Sequence, residues 1–111
     1  MKKELQKSVF MEVFGANPEA RVLDYLLTIH PLECSVSDIA ENACVSRTTL
    51  HYRIMPFLTK NGVIMHRRMG KMKVFRLNGQ NSIARKLMDV DRELVLSELK
   101  KRMAKEAAVT A

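Results

Sequence analysis

The hydrophobic period of this sequence changes from helical to extended at Asn61-Gly62. Before that point, apolar residues recur at spacings of three and four, the period of a helix with one apolar face. They are Leu50, Ile54, Phe57 and Leu58. After it, two short runs, 63–69 and 72–77, flank Gly70-Lys71 and predict a β-hairpin. The chain is therefore expected to be mainly helical, with a small β-hairpin placed directly after a helix.

Two helices joined by about four residues are predicted just before this hairpin. Ser37 is expected to cap the first helix, and the segment 42–45 interrupts it. Ser46 is expected to cap the second helix, which ends at Asn61-Gly62. Because Pro56 removes one hydrogen bond inside this second helix, we expect a kink between Tyr52 and Pro56. The pattern is typical of a helix-turn-helix.

Two further helices are predicted on the N-terminal side. Asn17 is a favourable N-cap, and Pro18 fits the first helical position because its missing N–H has no helical partner there. This helix is expected to end at His30-Pro31, since the residue before a proline is disfavoured in helical geometry. Glu4 to Phe14 is also expected to be helical, with Gly15 at the C-cap.

The last predicted helix begins with Ser82 as its cap and runs to about Glu106, roughly 36 Å at the rise of an α-helix. That length exceeds what one small core covers, so its apolar side predicts a homodimer. The spacing of apolar residues slips between Leu94 and Leu99, which favours a packed helix pair over a strict coiled coil. The predicted N-terminal helix, Glu4 to Phe14, is a further candidate for the interface. The predicted dimerisation residues are Leu87, Val90, Leu94, Leu99 and Met103.

Positive charge is segregated along the chain. The formal net charge is +7, and no acidic residue occurs from Asn42 to Met88, a stretch that covers the second helix of the pair and the hairpin. Because duplex DNA carries one phosphate charge about every 1.7 Å, a surface built from such a stretch attracts it without local repulsion. Double-stranded DNA is therefore the predicted partner.

The residues expected to contact DNA lie at three places. A helix N-terminus in the major groove offers short hydroxyl donors and an arginine able to contact guanine in two places. On the helix they are Ser46, Arg47, Thr48, Thr49, His51, Tyr52 and Arg53; on the hairpin they are Arg67, Arg68, Lys71 and Lys73; at the start of the preceding helix it is Ser37. Val74, Phe75 and Leu77 are expected to anchor the hairpin to the core.

Other function classes lack their usual signals in this sequence. We find no paired carboxylates in a pocket context, no nucleophile with a base and no glycine-rich phosphate loop, so no enzyme is predicted. Cys34 and Cys44 lack a metal-ligand spacing and are expected to be reduced, structural thiols; no cofactor and no metal are predicted, and no effector is identified. No apolar run approaches a membrane span and no signal-peptide core follows Met1, so we expect a cytoplasmic protein.

The chain resembles winged helix transcription regulators of prokaryotes, especially small archaeal ones of the MarR and ArsR kind. The resemblance covers about Phe14 to Met88, and its motifs are Arg21 to Leu27, Ser37 to Ala43, Val45 to Leu50, Leu58 to Ile64, and Phe75 to Asn78. It implies a winged helix-turn-helix, with a three-helix core plus wing over about 17–78, flanked by N-terminal and C-terminal dimerisation helices, in a single domain 1–111. Some ArsR members bind metal through cysteines where this chain has Ser35 and Ser37, which are poor ligands for soft metals.

The resemblance implies a homodimeric, sequence-specific regulator that reads an inverted repeat. Helix 46–60 would enter the major groove, and the wing 63–77 would contact the backbone or the minor groove. Repression by occupying a promoter is the simpler expectation, since no further domain is predicted. A DNA-organising or replication and segregation protein is the alternative, and a protein-interaction winged helix is a third hypothesis that requires an acidic partner.

Overall fold

The computed structural model describes residues 8–110 and begins with two helices. The first, α1 (Val9–Phe14), starts where the Ser8 hydroxyl accepts from the Met11 amide at 3.1 Å, and it ends at Gly15 with a φ of 91°. The segment Glu4 to Lys7, expected to be helical, lies outside the described residues. The second, α2 (Pro18–Ile29), is capped by Asn17 as expected and ends just before His30-Pro31.

A two-residue strand that the sequence did not predict, β1 (Cys34–Ser35), leads directly into α3 (Val36–Ala43). The expectation that Ser37 caps this helix is wrong, because the helix begins at Val36 and Ser37 lies within its first turn. The cap is Ser35, whose hydroxyl accepts from the Asp38 amide at 3.1 Å, while the Asp38 carboxylate accepts from the Ser35 amide at 3.0 Å. This reciprocal pair satisfies two donors that a helix start leaves free.

The second helix of the pair is continuous over 47–60 but changes its geometry. It consists of α4 (Arg47–Thr49), a π-helical segment (Leu50–Ile54) and α5 (Met55–Lys60), with Ser46 as the expected cap. The Met55 amide donates to the Leu50 carbonyl, five residues back. The irregularity expected near Pro56 is thus a π turn immediately before it.

The π turn also corrects one core assignment. Phe57 was expected on the buried face, but it is 61% exposed, and Met55 is buried instead. A π turn takes more residues than an α turn, so residues after it are rotated relative to a regular helix.

The hairpin consists of β2 (Ile64–Met69) and β3 (Met72–Leu77), close to the predicted runs. With β1 it forms an antiparallel sheet of order β1-β3-β2, in which Cys34 pairs with Phe75 and Ile64 pairs with Leu77. The hairpin is therefore supported by a third strand along β3. Phe75 and Leu77 anchor the hairpin in the core cluster as expected, whereas Val74 is buried but lies outside that cluster, on the other face of the sheet.

The core lies between α2, α3, helix 47–60 and the base of the sheet. Its most deeply buried side chains come from every one of these elements: Val22, Leu26, Ile39, Leu50, Ile54 and Leu77. Burying a leucine, isoleucine or valine side chain contributes roughly 1.5–3 kcal/mol, so this cluster fixes the helix pair against the sheet.

The last helix, α6 (Ser82–Thr110), extends beyond the predicted end at Glu106. Asn81, not Ser82, is its cap, since the Asn81 side-chain oxygen accepts from the Ala84 amide at 3.0 Å. The start of α6 is part of the core, because Ala84 is buried and Leu87 packs against the buried cluster. Within residues 8–110, no helix is both long and apolar enough to cross a membrane.

Candidate nucleic-acid interface

The start of helix 47–60 presents most of its predicted DNA-contacting side chains to solvent. The exposed ones are Ser46, Arg47, Thr48, His51, Tyr52 and Arg53, while Thr49 is half-buried. Ser46 donates its hydroxyl proton to the Thr49 hydroxyl at 2.8 Å and accepts from the Thr49 amide, so these two side chains are partly committed to the cap. Arg47, Thr48 and Tyr52 are the side chains that project from this end of the helix.

Arg53 is tied to α2. Its Nη2 lies 3.1 Å from a carboxylate oxygen of Glu19, and both side chains are well exposed. This partner was not predictable from the sequence, because Glu19 lies outside the acid-free stretch and far from Arg53 along the chain. Solvent weakens such an exposed pair, so a phosphate can compete with Glu19 for this guanidinium.

Arg21 holds the turn that precedes the helix. Its guanidinium donates to three main-chain carbonyls, those of Ala16 at 2.8 Å, Ala43 at 3.0 Å and Cys44 at 3.0 Å. Cys44 ends α3 in the left-handed region, with a φ of 55°. A non-glycine residue there is uncommon, and Arg21 is the side chain that binds this turn to α2. This role of Arg21 was not predicted from the sequence, since the carbonyls of Ala43 and Cys44 are more than 20 residues away along the chain.

The two faces of the hairpin carry different residues. Side chains alternate along a strand, so the face that buries Phe75 at its base also carries the exposed His66, Arg68 and Lys73 farther out. Arg67 lies on the other face of the hairpin, where it is paired with Val74 in the register. Lys71 is at the tip, next to Gly70, whose φ of 64° suits the turn.

A groove of about 580 Å³ separates helix 47–60 from the hairpin. Its floor contains the buried side chains Met55 and Phe75, and the exposed side chains along it include four basic or titratable groups. These are His51, Lys60, His66 and Lys73. His51 and Lys73 were predicted to contact DNA, whereas Lys60 and His66 were not. The alternation of side chains along the hairpin could have identified His66, since it places this residue on the same face as Phe75.

The structure separates Arg67 from the other predicted wing cations. Arg67 Nε and Nη2 donate to the two carboxylate oxygens of Glu33, each at 2.7 Å. These hydrogen bonds hold the pKa of Glu33 below its usual range and raise that of Arg67. Glu33 lies outside the acid-free stretch, so the charge pattern of the sequence did not reveal the pair.

Comparison with known proteins identifies the architecture. No family model matches the sequence, and no curated protein sequence matches it significantly. Among solved structures, MepR, a transcription regulator of the Staphylococcus aureus multidrug efflux pump MepA, superposes with a TM-score of 0.61 at 15% identity, over 88% of this chain and 72% of that one. The fold is a winged helix. Helix 47–60 occupies the position that is called the recognition helix in winged helix proteins, and the hairpin 64–77 occupies the position of the wing; both names denote position in the fold.

Two other solved structures share this winged helix at low identity. Sso10a-2, a DNA-binding protein from Sulfolobus solfataricus, gives a TM-score of 0.51 at 13% identity, over 81% of this chain and 90% of that one. The MarR family transcriptional regulator SPO1453 from Silicibacter pomeroyi gives 0.53 at 18% identity, over 88% of this chain and 65% of that one. At such identities the likeness concerns the fold.

Four of the predicted DNA-contacting cations have no carboxylate within 4.0 Å among residues 8–110. They are Arg47 at the start of the recognition helix, and Arg68, Lys71 and Lys73 on the wing. Their charges are not neutralised by ion pairs within the described chain. Ser37, the remaining predicted contact, is exposed in the first turn of α3.

The cysteines of the winged helix lie in different environments. Cys34 is buried and its thiol donates to the Phe75 carbonyl at 3.6 Å; burial, with a smaller contribution from Asp38, raises the pKa of this thiol to about 11. Cys44 is exposed in the turn between α3 and α4. Across residues 8–110, no three His, Cys, Asp or Glu side chains are grouped so that they could hold a metal ion.

Proposed function

We propose that this winged helix is a double-stranded DNA-binding transcription regulator that acts as a homodimeric repressor on an inverted repeat. The observation that carries the proposal is the set of unpaired cations Arg47, Arg68, Lys71 and Lys73 on the recognition helix and wing. Among residues 8–110, the acids paired with cations of these two elements are Glu19 and Glu33, which neutralise Arg53 and Arg67 and leave those four charges available.

In this proposal the recognition helix lies in the major groove with its N-terminal end toward the bases. Arg47 can donate two hydrogen bonds to a guanine, and Thr48 can contact a neighbouring base edge or phosphate. The wing contributes phosphate contacts through Lys71 at the tip and through Arg68 and Lys73 on the groove face. Base reading is confined to the first turns of the helix, up to about Arg53, because the π turn over Leu50–Ile54 changes the direction in which the residues after it project.

Two of the similar structures support regulation. MepR and SPO1453 are each described as transcription regulators, and the fold of this chain is similar to theirs. Occupying a promoter requires only DNA contacts and dimerisation, for which this chain has candidate residues. We therefore favour repression.

The Sulfolobus protein favours a second candidate function. Sso10a-2 is described as a DNA-binding protein, without reference to gene regulation, and this chain covers 90% of it. A DNA-organising protein would use the same cations for phosphate contacts but would not need base reading. The two candidates therefore differ in sequence preference.

Selection of duplexes from a random pool by the purified protein separates these candidates. We expect enrichment of a motif with two inverted half-sites, and about a tenfold or greater loss of affinity for that motif in Arg47→Ala, as for the loss of a bidentate base contact. Lys105→Ala, which removes the same charge from an exposed position of α6, is the control. Enrichment of no motif, with salt-dependent binding retained, would instead favour the DNA-organising function.

The wing contacts are tested by the dependence of binding on salt. Lys71→Ala is expected to weaken binding to all duplexes to a similar extent and to lower the slope of log K against log salt by about one. If the slope is unchanged, Lys71 does not contact a phosphate.

A further inference from the structure

The ion pair between Glu33 and Arg67 lies on the face of the wing that points away from the groove. Two parallel hydrogen bonds of 2.7 Å fix the guanidinium plane against the carboxylate. Glu33 precedes β1 at one edge of the sheet, and Arg67 lies in β2 at the other edge. The pair therefore connects the two outer strands by reaching across the central strand β3.

Val74 lies on β3 between the two partners. It is opposite Arg67 in one ladder and opposite Ser35 in the other, so its side chain shares the face of Arg67. Val74 is only 4% exposed, yet it is not part of the main buried cluster. We attribute its burial to the aliphatic stem of Arg67, which crosses β3 to reach Glu33.

We propose that Glu33 is a positioning residue for the wing, which holds Arg67 on the back of the sheet so that Arg68, Lys71 and Lys73 are presented to DNA. Arg67 is then a brace of the wing and not a phosphate contact. This inference rests on the proposed DNA binding, and it revises the prediction that all four wing cations contact DNA.

The alternation of the strands supports a brace over a simple competition between Glu33 and DNA for Arg67. Arg68 and Lys73 are directly opposite each other in the register and lie on the groove face, whereas Arg67 lies on the other face. Releasing Arg67 from Glu33 therefore does not add a cation to the groove. Releasing Arg67 instead removes the link between β2 and β1, and it exposes Val74 to solvent.

The first test compares Glu33→Gln with Glu41→Gln, which removes the same charge from an exposed position of α3. We expect Glu33→Gln to bind the selected duplex about fivefold more weakly than Glu41→Gln, as for other coupled pairs of this kind. The exchanged pair E33R/R67E is expected to recover affinity to within about twofold of the original chain, because it restores the brace. Tighter binding by Glu33→Gln, or weak binding by the exchanged pair, would overturn the inference.

The second test needs no DNA. Amide hydrogen exchange of β2 and β3 is expected to be about threefold or more faster in Glu33→Gln than in Glu41→Gln, because the outer strand loses its link to β1. Unchanged exchange would overturn the brace even if the protein binds DNA. If the original chain binds no duplex while exchange changes as expected, the proposed function fails and the positioning role of Glu33 stands.

Discussion

Arg21 holds the turn that precedes the recognition helix. It donates to three carbonyls, two of them in the turn between α3 and α4. Because hydrogen bonds from charged groups contribute about 1.5–3 kcal/mol each and are not additive, we expect Arg21→Ala to lower the free energy of unfolding by about 3 kcal/mol. Denaturant unfolding measures this loss. Arg85→Ala, at an exposed position, should lose less than about 0.5 kcal/mol, and an equal loss in both variants would contradict the role of Arg21.

The two cysteines should differ in reactivity. With a pKa of about 11, Cys34 is thiolate in only about one molecule in a thousand at pH 8, and it is also shielded from solvent. A thiol reagent is expected to titrate one cysteine rapidly in the native protein and two after denaturation. Cys44→Ser should abolish the rapid reaction. Rapid reaction of two thiols in the native protein would show that Cys34 is accessible.

Some single-residue roles were predictable from the sequence where the partner is near in the chain, although the caps of α3 and α6 were each assigned to a neighbouring serine. Ser46 was identified as a cap because its acceptor role is decided within three residues. The partners of Arg53 and Arg67 were not predictable, since each carboxylate is 34 residues away along the chain. Local spacing contains no information on such contacts, so the free cations were distinguished from the paired ones only by the fold.

At the scale of elements, α6 is docked against α2 with an unfavourable charge contact. Burial raises the pKa of Asp91, and the neighbouring charge of Asp24 raises it further. The folded state therefore disfavours ionised Asp91, and stability falls as pH rises from the ordinary aspartate value of 3.8 through the raised folded value. Above that window the penalty is constant.

Asp91→Asn should remove this penalty. We expect its Tm at pH 7 to exceed that of the original chain by about 1–2 °C, and the difference to vanish below pH 3.8, where both states bind the proton. Asp89→Asn, an exposed position of the same helix, is the control. Thermal unfolding at several pH values measures the effect, and a Tm at pH 7 below that of the original chain would contradict it.

Elements with a long, regular pattern were predictable, and short or irregular ones were not. The hairpin followed from its alternation, and α2 from its cap and proline. The strand β1 has two residues and no pattern of its own, since β3 supplies its pairing. Because this strand was not predicted, the cap of α3 was assigned to Ser37 and not to Ser35. The π turn likewise left no periodic signal, which is why Phe57 was assigned to the core.

The whole molecule is elongated, with extents of 57 × 36 × 24 Å, and α6 is its longest element. The early part of α6 packs on α1, α2 and the core, whereas its later part carries exposed apolar side chains. Of the predicted dimerisation residues, Leu87 packs on the chain's own core, and Leu94 is half-buried. The exposed apolar residues of the helix include Val90, Val95, Leu96, Leu99 and Met103.

An apolar stripe on a projecting helix is costly in water unless a partner covers it. Leu96, Leu99 and Met103 recur at spacings of three and four, so a second copy of α6 can pack on them along one seam. Val95 is adjacent to that seam. Leu99 and Met103 were predicted interface positions, whereas Leu96 and Val95 were not, because they fall within the slip in spacing between Leu94 and Leu99. The homodimer of the proposed function is therefore expected to depend on Leu99, near the middle of the stripe.

Leu99→Lys tests this assembly. We expect the original chain to sediment at twice its chain mass of 12.7 kDa and Leu99→Lys to sediment as a monomer, because a charge at the centre of an apolar seam lacks a partner. Ser97→Lys adds the same charge on the opposite side of α6 and should remain dimeric. Since two linked recognition helices bind two half-sites with a high effective concentration, Leu99→Lys should lose at least about 100-fold in affinity for an inverted repeat and little for a single half-site. A dimeric Leu99→Lys, or an equal loss on both duplexes, would place the dimer interface elsewhere.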